Sequence, residues 1–339
     1  MPSPTPANRP RIAITMGDVN GVGPEILAKA LAREDMQACA NYLVFGERAV
    51  LVQAAAVLGV ALPALDDFAF GSTLRAGVVG ISNAGKAAAA VQAGVLSAEA
   101  GACAHHWIGA AMAAVALGDA DALVTCPVNK EAMLLAGHGD LGHTELLSRL
   151  LNAPDWRMCL YTEGRLVVHL SGHLSLMNAL RGITTASVCA SVRVAHEALL
   201  RMGIAAPRIA VAGINPHAGE HGVIGHEDEA LLVPAVAACV GEGIACTGPH
   251  SPDAVFRQLW QGQHDAVIAM YHDQGHIAMK MVAMDETASL TLGLPIVRTS
   301  PDHGTAFDIA WTGQADERSL CAAIKLAARL ARPRQKESA

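Results

Sequence analysis

The chain has 339 residues, 52% apolar and 16% charged, which excludes a disordered segment or a coiled coil and leaves roughly two domains or one large α/β unit. Twenty-four Lys plus Arg against 31 Asp plus Glu give a net charge of -7, against a general nucleic-acid-binding surface, which needs a basic excess. With 32 glycines and only 4% aromatics, the composition suits the tight strand-to-helix turns of α/β enzymes rather than an all-β sandwich. In chain order, short β-branched runs alternate with longer Ala/Leu-rich stretches of helical spacing, the pattern of βαβ units around a mainly parallel sheet. Strands are expected at 11–16, 42–46, 121–126, 157–161, 166–170, 208–214, 265–271 and 295–299. Helices are expected at 25–33, 48–58, 97–117, 187–202, 227–241 and 318–331.

The eight cysteines are scattered with no CxxC pair, which reads as reduced, buried thiols rather than a zinc ribbon. The Pro-rich N-terminus runs straight into IAIT, too short for the ~7 to 15-residue apolar region of a signal peptide. The longest apolar stretch, Trp107 to Leu117, falls short of the ~18 residues of a membrane span. A cytoplasmic protein with neither a membrane nor a nucleic-acid partner is expected.

Ligands of open α/β sheets bind beyond the carboxyl ends of the strands, and there this chain is polar. Gly17-Asp18-Val19-Asn20-Gly21-Val22-Gly23-Pro24-Glu25 is not a dinucleotide fingerprint, since the GxGxxG order is missing. Either Asp18 caps the following helix or the turn holds a ligand. Thr125-Cys126-Pro127-Val128-Asn129-Lys130 ends another strand, with His143-Thr144 downstream. Lys130 is there either a solvated lysine or a group that holds an anion or relays protons. His173, His217 and His272 follow three further strands. One such histidine is more often structural, but three at equivalent strand ends suit a divalent ion. The pairs His217/His221 and His272/His276 have helical spacing, yet Gly219 and Gly275 fall inside them and no HExxH occurs, so both are expected in loops. Lys280 and Arg298 are placed to bind an anionic group. The stretch Thr299 to Gly313, dense in Gly, hydroxyls and Asp, is rarely a mere connector.

In combination the motifs MGDxxGxGPE, TxPxNK with GHTE, NPHAGE, YHDQG and TLGLPxxRTSxDHGTAxDIA, from about Arg11 to Ala331, resemble the PdxA family, the 4-hydroxythreonine-4-phosphate dehydrogenases and their sister enzymes. The resemblance implies an isocitrate-dehydrogenase-like three-layer α/β/α fold of two lobes with a central cleft, and a homodimer. It implies a cofactor-side lobe of 11–130 plus 290–331, and a metal, substrate and dimerisation lobe of 131–289. His173, His217 and His272 match the family's metal ligands, contributed by both subunits. His143, Thr144, Lys280 and Arg298 match its substrate-binding residues. His303, Gly304, Thr305 and Asp308 fall in what looks like the cofactor-adenine loop of β-decarboxylating dehydrogenases.

The implied reaction is oxidation of a 4-phosphorylated 3-hydroxy acid by NAD or NADP with one divalent ion (zinc, magnesium, manganese or cobalt), followed by decarboxylation. A bound metal acidifies the alcohol, as it lowers water from a pKa of about 15.7 towards ~7, and stabilises the enolate formed as CO2 leaves. Lys130 or Asp253 is the candidate proton acceptor. Some positions depart from the family pattern: Ser289 stands where a substrate-contacting Asn is usual, Asp285 and Glu286 precede it, and Val19-Asn20 replace Pro-Ala. The leading substrate is 4-hydroxy-L-threonine 4-phosphate. Alternatives are 4-phospho-D-threonate or 4-phospho-D-erythronate, and an unphosphorylated dihydrodiol carboxylate. A phosphotransacetylase-like acyltransferase and a metal-dependent aldolase are the rivals from other classes.

Overall fold

Strand β1, Arg11–Thr15, sets the frame in a computed structural model that describes residues 9–73, 75, 77–88, 90–140, 142–283 and 286–331. Ile12, Ala13, Ile14 and Thr15 are all fully buried, as a strand covered on both faces by helices requires. The chain divides into two compact units, Met1–Pro154 with Leu294–Ala339, and Asp155–Gly293.

In the first unit the strands run in the order β3 (Leu65–Asp67), β4 (Val79–Ser82), β2 (Asn41–Phe45), β1, β5 (Ala122–Thr125) and β12 (Arg298–Pro301). All the pairings are parallel. The register places Ile12 opposite Tyr42 and Ala122, and Arg298 opposite Leu123. Its helices are α1 (Gly23–Ala32), α2 (Glu34–Cys39), α3 (Arg48–Leu58), α4 (Ala98–Ala116), α5 (Lys130–Leu135), α6 (His143–Leu150) and α12 (Arg318–Ala331). Pro24 sits in the first turn of α1, where its missing N–H costs nothing. Ser97 caps α4 by accepting from the Ala100 amide.

In the second unit the order is β11 (Ala288–Leu292), β6 (Arg157–Thr162), β7 (Arg165–His169), β10 (Ala266–Ala269), β8 (Ile209–Ala212) and β9 (Cys246–His250). β6 pairs antiparallel with both β7 and β11, whereas β7, β10, β8 and β9 are parallel. Its helices are α7 (Leu176–Arg181), α8 (Thr185–Arg201), α9 (Val233–Gly241), α10 (Pro252–Trp260) and α11 (His272–Ala283). Leu160, Val167, Val255, Leu259, Val267 and Met279 form the centre of its core.

The expected α/β class is what forms. Helix α11, however, corrects the loop expected around His272 and His276. A Cβ at Gly275 would lie 2.4 Å from Nε2 of His169, so the glycine serves close packing of helix on strand rather than a turn. The other pair, His217/His221, does sit on irregular backbone, with His217, Ala218, Glu220 and His221 all at positive φ. All eight cysteines are free thiols and seven are buried. Among the described residues no helix is long and apolar enough to cross a membrane.

Candidate functional site

The first unit gathers its polar residues where β5 and β12 meet. The Arg298 guanidinium, only 4% exposed, donates from Nη2 to Oγ1 of Thr125 at 2.6 Å and from Nη1 to Oγ1 of Thr144 at 3.5 Å. Burial lowers Arg298 to about 10, with the Glu145 carboxylate acting the other way, so the side chain stays a cation at neutral pH. Beside it, His143 opens α6. Burial, and then the Arg298 charge, hold its imidazole well below the usual 6.5. A neutral ring follows, with Nε2 buried and lacking a hydrogen-bond partner among the described residues. Exposed Lys130 opens α5, and its Cε lies 3.3 Å from where a Cβ on Gly142 would stand. A dry cation and an unsatisfied neutral imidazole, next to hydroxyls, form a receptor for an anionic group with hydrogen-bonding oxygens.

At the end of β1, Asp18 does not cap α1: its Oδ1 accepts from the Asn20 amide at 2.9 Å, and the cap position, Val22, makes no side-chain bond. Burial raises the Asp18 carboxyl to about 6. Asn20 has its own task, accepting from the Gln92 amide and donating to the Val95 carbonyl. In the candidate cofactor loop His303, Gly304 and Asp308 are exposed and Thr305 is half-buried.

In the second unit the chemistry is imidazole. β7 ends on His169, and His173 follows four residues on. α11 opens on His272, and His276 and Lys280 recur on the same face at one-turn intervals. Ring centroids of His173 and His272 are 5.2 Å apart, those of His272 and His276 are stacked at 3.7 Å, and those of His169 and His276 lie at 4.5 Å. Nδ1 of His169 is 3.1 Å from the Met158 carbonyl, which only accepts, so His169 carries its proton there. Its Nε2 is then an acceptor, and His276 must donate from Nδ1 across 3.0 Å. Burial brings His169 down to about 3 and His276 to about 4, which keeps both rings neutral. His272 donates from Nδ1 to Oδ1 of Asp273 at 2.6 Å, so Nε2 is the nitrogen turned away from that partner, the orientation that metal-binding histidines adopt. A cavity of about 350 Å³ is lined by His173, Leu174, Tyr271, His272 and Asp273.

His217 stands elsewhere in this unit. The loop carrying it is stapled by buried Asp228, which accepts from the Ile214 and Asn215 amides and from the Asn215 side chain. Such runs of left-handed non-glycine residues persist only when the surroundings over-determine them. His217 lies within electrostatic reach of Asp253. That exposed carboxylate is held below its usual range chiefly by Ser251, which donates to Oδ1 at 2.5 Å. Ser289 is half-buried on β11, opposite Leu160; Asp285 lies outside the described residues. One chain therefore brings His173 and His272 together but not His217, and among the described residues no group of three His, Cys, Asp or Glu side chains is placed to hold a metal. The imidazoles of His173 and His272, 5.2 Å apart between ring centroids, fit part of a divalent-metal donor set. Sequence reasoning gave no role to His169 or Asp228, and saw His276 only as the partner of His272 at a helical spacing interrupted by Gly275.

Comparison with known proteins defines the class first. A curated D-threonate 4-phosphate dehydrogenase of Salmonella typhimurium is 44% identical over 94% of this chain and 98% of its own length. A 4-hydroxythreonine-4-phosphate dehydrogenase of Geobacter metallireducens is 41% identical over 96% and 97%. The crystal structure of 4-hydroxythreonine-4-phosphate dehydrogenase from Klebsiella pneumoniae superposes with a TM-score of 0.84 at 40% identity, covering 95% of this chain and all of that one. All three relatives are dehydrogenases by name. The sequence model described as "Pyridoxal phosphate biosynthetic protein PdxA" matches residues 37–327, and the chain belongs to the PdxA family.

Proposed function

We propose that the chain oxidises the 3-hydroxyl of a 4-phosphorylated hydroxy acid with NAD or NADP and a divalent metal, and that decarboxylation follows. The observation that carries this reading is the buried Arg298 cation beside neutral His143 and Thr144, which calls for an anionic ligand. D-threonate 4-phosphate is the first candidate, because the relatives so named reach 44% identity and Ser289 stands in place of the usual Asn. A second reading, 4-hydroxy-L-threonine 4-phosphate, is favoured by relatives of that name at 41%. A terephthalate 1,2-cis-dihydrodiol dehydrogenase from Burkholderia xenovorans is less similar, at 30% identity and a TM-score of 0.68, which ranks an unphosphorylated dihydrodiol third.

Arg298, His143, Thr144, Lys280 and Ser289 bind substrate in this reading. His303, Gly304, Thr305 and Asp308 contact the nicotinamide nucleotide. His173, His217 and His272 hold the metal, which when bound makes the chelated alcohol more acidic. Lys130, in its uncharged amine form, takes the proton in preference to Asp253, whose carboxylate is too weak a base in its hydrogen bond with Ser251. A second copy of the chain is the expected partner. Leu174, Met177, Ile277 and Met281 on and beside α7 and α11 are more than half exposed, an apolar surface that suits subunit contact, and among the described residues of one chain no group of three such ligands is gathered. A cytoplasmic location goes with this reading.

The test is a panel of the two phosphorylated acids, their unphosphorylated counterparts and a dihydrodiol carboxylate, each with NAD or NADP and each metal. Growth of reduced-nicotinamide absorbance only with a phosphorylated acid is the expected result. Turnover without any nicotinamide would point to an acyltransferase or aldolase instead.

A further inference from the structure

The sequence leaves the Gly17–Glu25 turn open between a helix cap and a ligand loop. The structure shows it occupied with residues 305–315 of its own unit. Glu25, fully buried, accepts from the Trp311 amide at Oε2 (2.5 Å) and from the Gly313 amide at Oε1 (2.6 Å). One turn further along α1, Lys29 donates from Nζ to the carbonyls of Gly313 (2.9 Å) and Ala315 (2.5 Å). Residues four apart share a helix face, so α1 offers an acceptor and a donor to one short stretch of main chain. The Trp311 indole donates to the Val19 carbonyl at 2.9 Å, and the Val22 amide donates to the Thr305 carbonyl at 3.0 Å. Position 21 must be glycine, since a Cβ there would come within 2.9 Å of the Thr305 side chain.

Within the gripped stretch Ala306 (φ 41°) and Trp311 (φ 63°) are left-handed. Neither is glycine, and neither holds that conformation unless its surroundings enforce it. The base of the loop is thus tied down from α1 while His303, Gly304 and Asp308 face solvent.

We propose that Glu25 and Lys29 are positioning residues for the nicotinamide nucleotide: they fix the main chain at 311–315 and through it the presentation of residues 303–308. Neither touches the nucleotide. The inference rests on the reading of His303, Gly304, Thr305 and Asp308 as cofactor contacts. In Glu25→Gln the amide group faces a backbone N–H, so one of the two bonds is lost. Lys29→Met removes both donations, and Lys29→Arg restores donors and charge.

Calorimetric titration of each folded protein with NADH and NADPH, alongside KM for the hydroxy acid, tests this. Glu25→Gln and Lys29→Met should each weaken nucleotide binding about tenfold, the loss expected for a charge-assisted hydrogen bond. KM for the hydroxy acid should not change, and Lys29→Arg should recover wild-type affinity. Unchanged nucleotide affinity in both variants, or an equal loss for nucleotide and hydroxy acid, overturns the proposal; if Glu25→Gln fails to fold, Lys29→Met decides. His303→Ala and Asp308→Ala separate the two layers. If they weaken binding and the α1 variants do not, only the positioning role falls. If wild type binds nucleotide and these two are unaffected, or wild type binds none, the cofactor reading falls and the proposal with it.

Discussion

The two units handle polar burial in opposite ways. The first keeps a permanent charge in a dry place: Arg298 is lowered only to about 10 and remains a cation held by the hydroxyls of Thr125 and Thr144. The second buries rings that have given their charge up, with His169 at about 3 and His276 at about 4. A fixed cation recognises an anion at any physiological pH, whereas neutral His169 and His276 can hydrogen-bond to each other behind His272 without like-charge repulsion.

Removing a metal ligand should have the largest effect. His272→Ala is expected to abolish turnover with circular dichroism unchanged, and metal-stripped wild type should be equally inactive until a divalent ion is restored. Retained activity in either protein would break the comparison at its imidazole side. Next, Arg298→Met should lower kcat/KM for the phosphorylated acid by about 10²- to 10³-fold, the usual consequence of truncating a buried charge partner, while Lys substitution recovers little because the planar fork is lost.

His169 sharpens the contrast. His169→Phe should reduce activity about 10- to 100-fold, because it removes the ring that accepts from His276, the ring stacked on the proposed metal ligand His272. It should also flatten the acid side of the stability curve. With folded-state values of about 3 and 4 against an ordinary 6.5, the unfolded chain takes up protons first as pH falls. Stability is then full above about 6.5 and lost by on the order of 3 kcal/mol for each ring towards pH 4, of which the variant removes the His169 share, read as urea midpoints across that range. The smallest effect belongs to Asp18, whose value is raised from 3.8 to about 6. Its contribution is present below about 4 and lost as pH rises through 6, so Asp18→Asn should stabilise the protein by about 1–3 kcal/mol above pH 6 and leave it unchanged near pH 4.

Much of the frame was readable from sequence because buried parallel strands are continuous apolar runs; β1, β5, β8 and β10 fall within the expected segments. Strand β3 was not, being three residues of Leu-Asp-Asp with no fully buried position. Helix α11 escaped because Gly275 looks like a breaker along the chain, and its reason, contact with His169 more than a hundred residues earlier, exists only in three dimensions. His143, Thr144, Arg298, His173 and His272 stand in motifs and could be named as candidates, whereas the His169–His276 hydrogen bond and the Asp228 staple join residues that no motif links. Glu25 was visible as a motif letter, but its hold on Trp311 and Gly313 depends on 286 and 288 residues of separation.

The most direct measurement is the initial rate of reduced-nicotinamide formation from D-threonate 4-phosphate and from unphosphorylated D-threonate, with a divalent ion present, in wild type and Arg298→Met. Rapid turnover of the phosphorylated acid by wild type, little of the other, and collapse of the first rate in the variant are expected. Equal rates with and without the phosphate, or an Arg298→Met protein as active as wild type, would contradict the account.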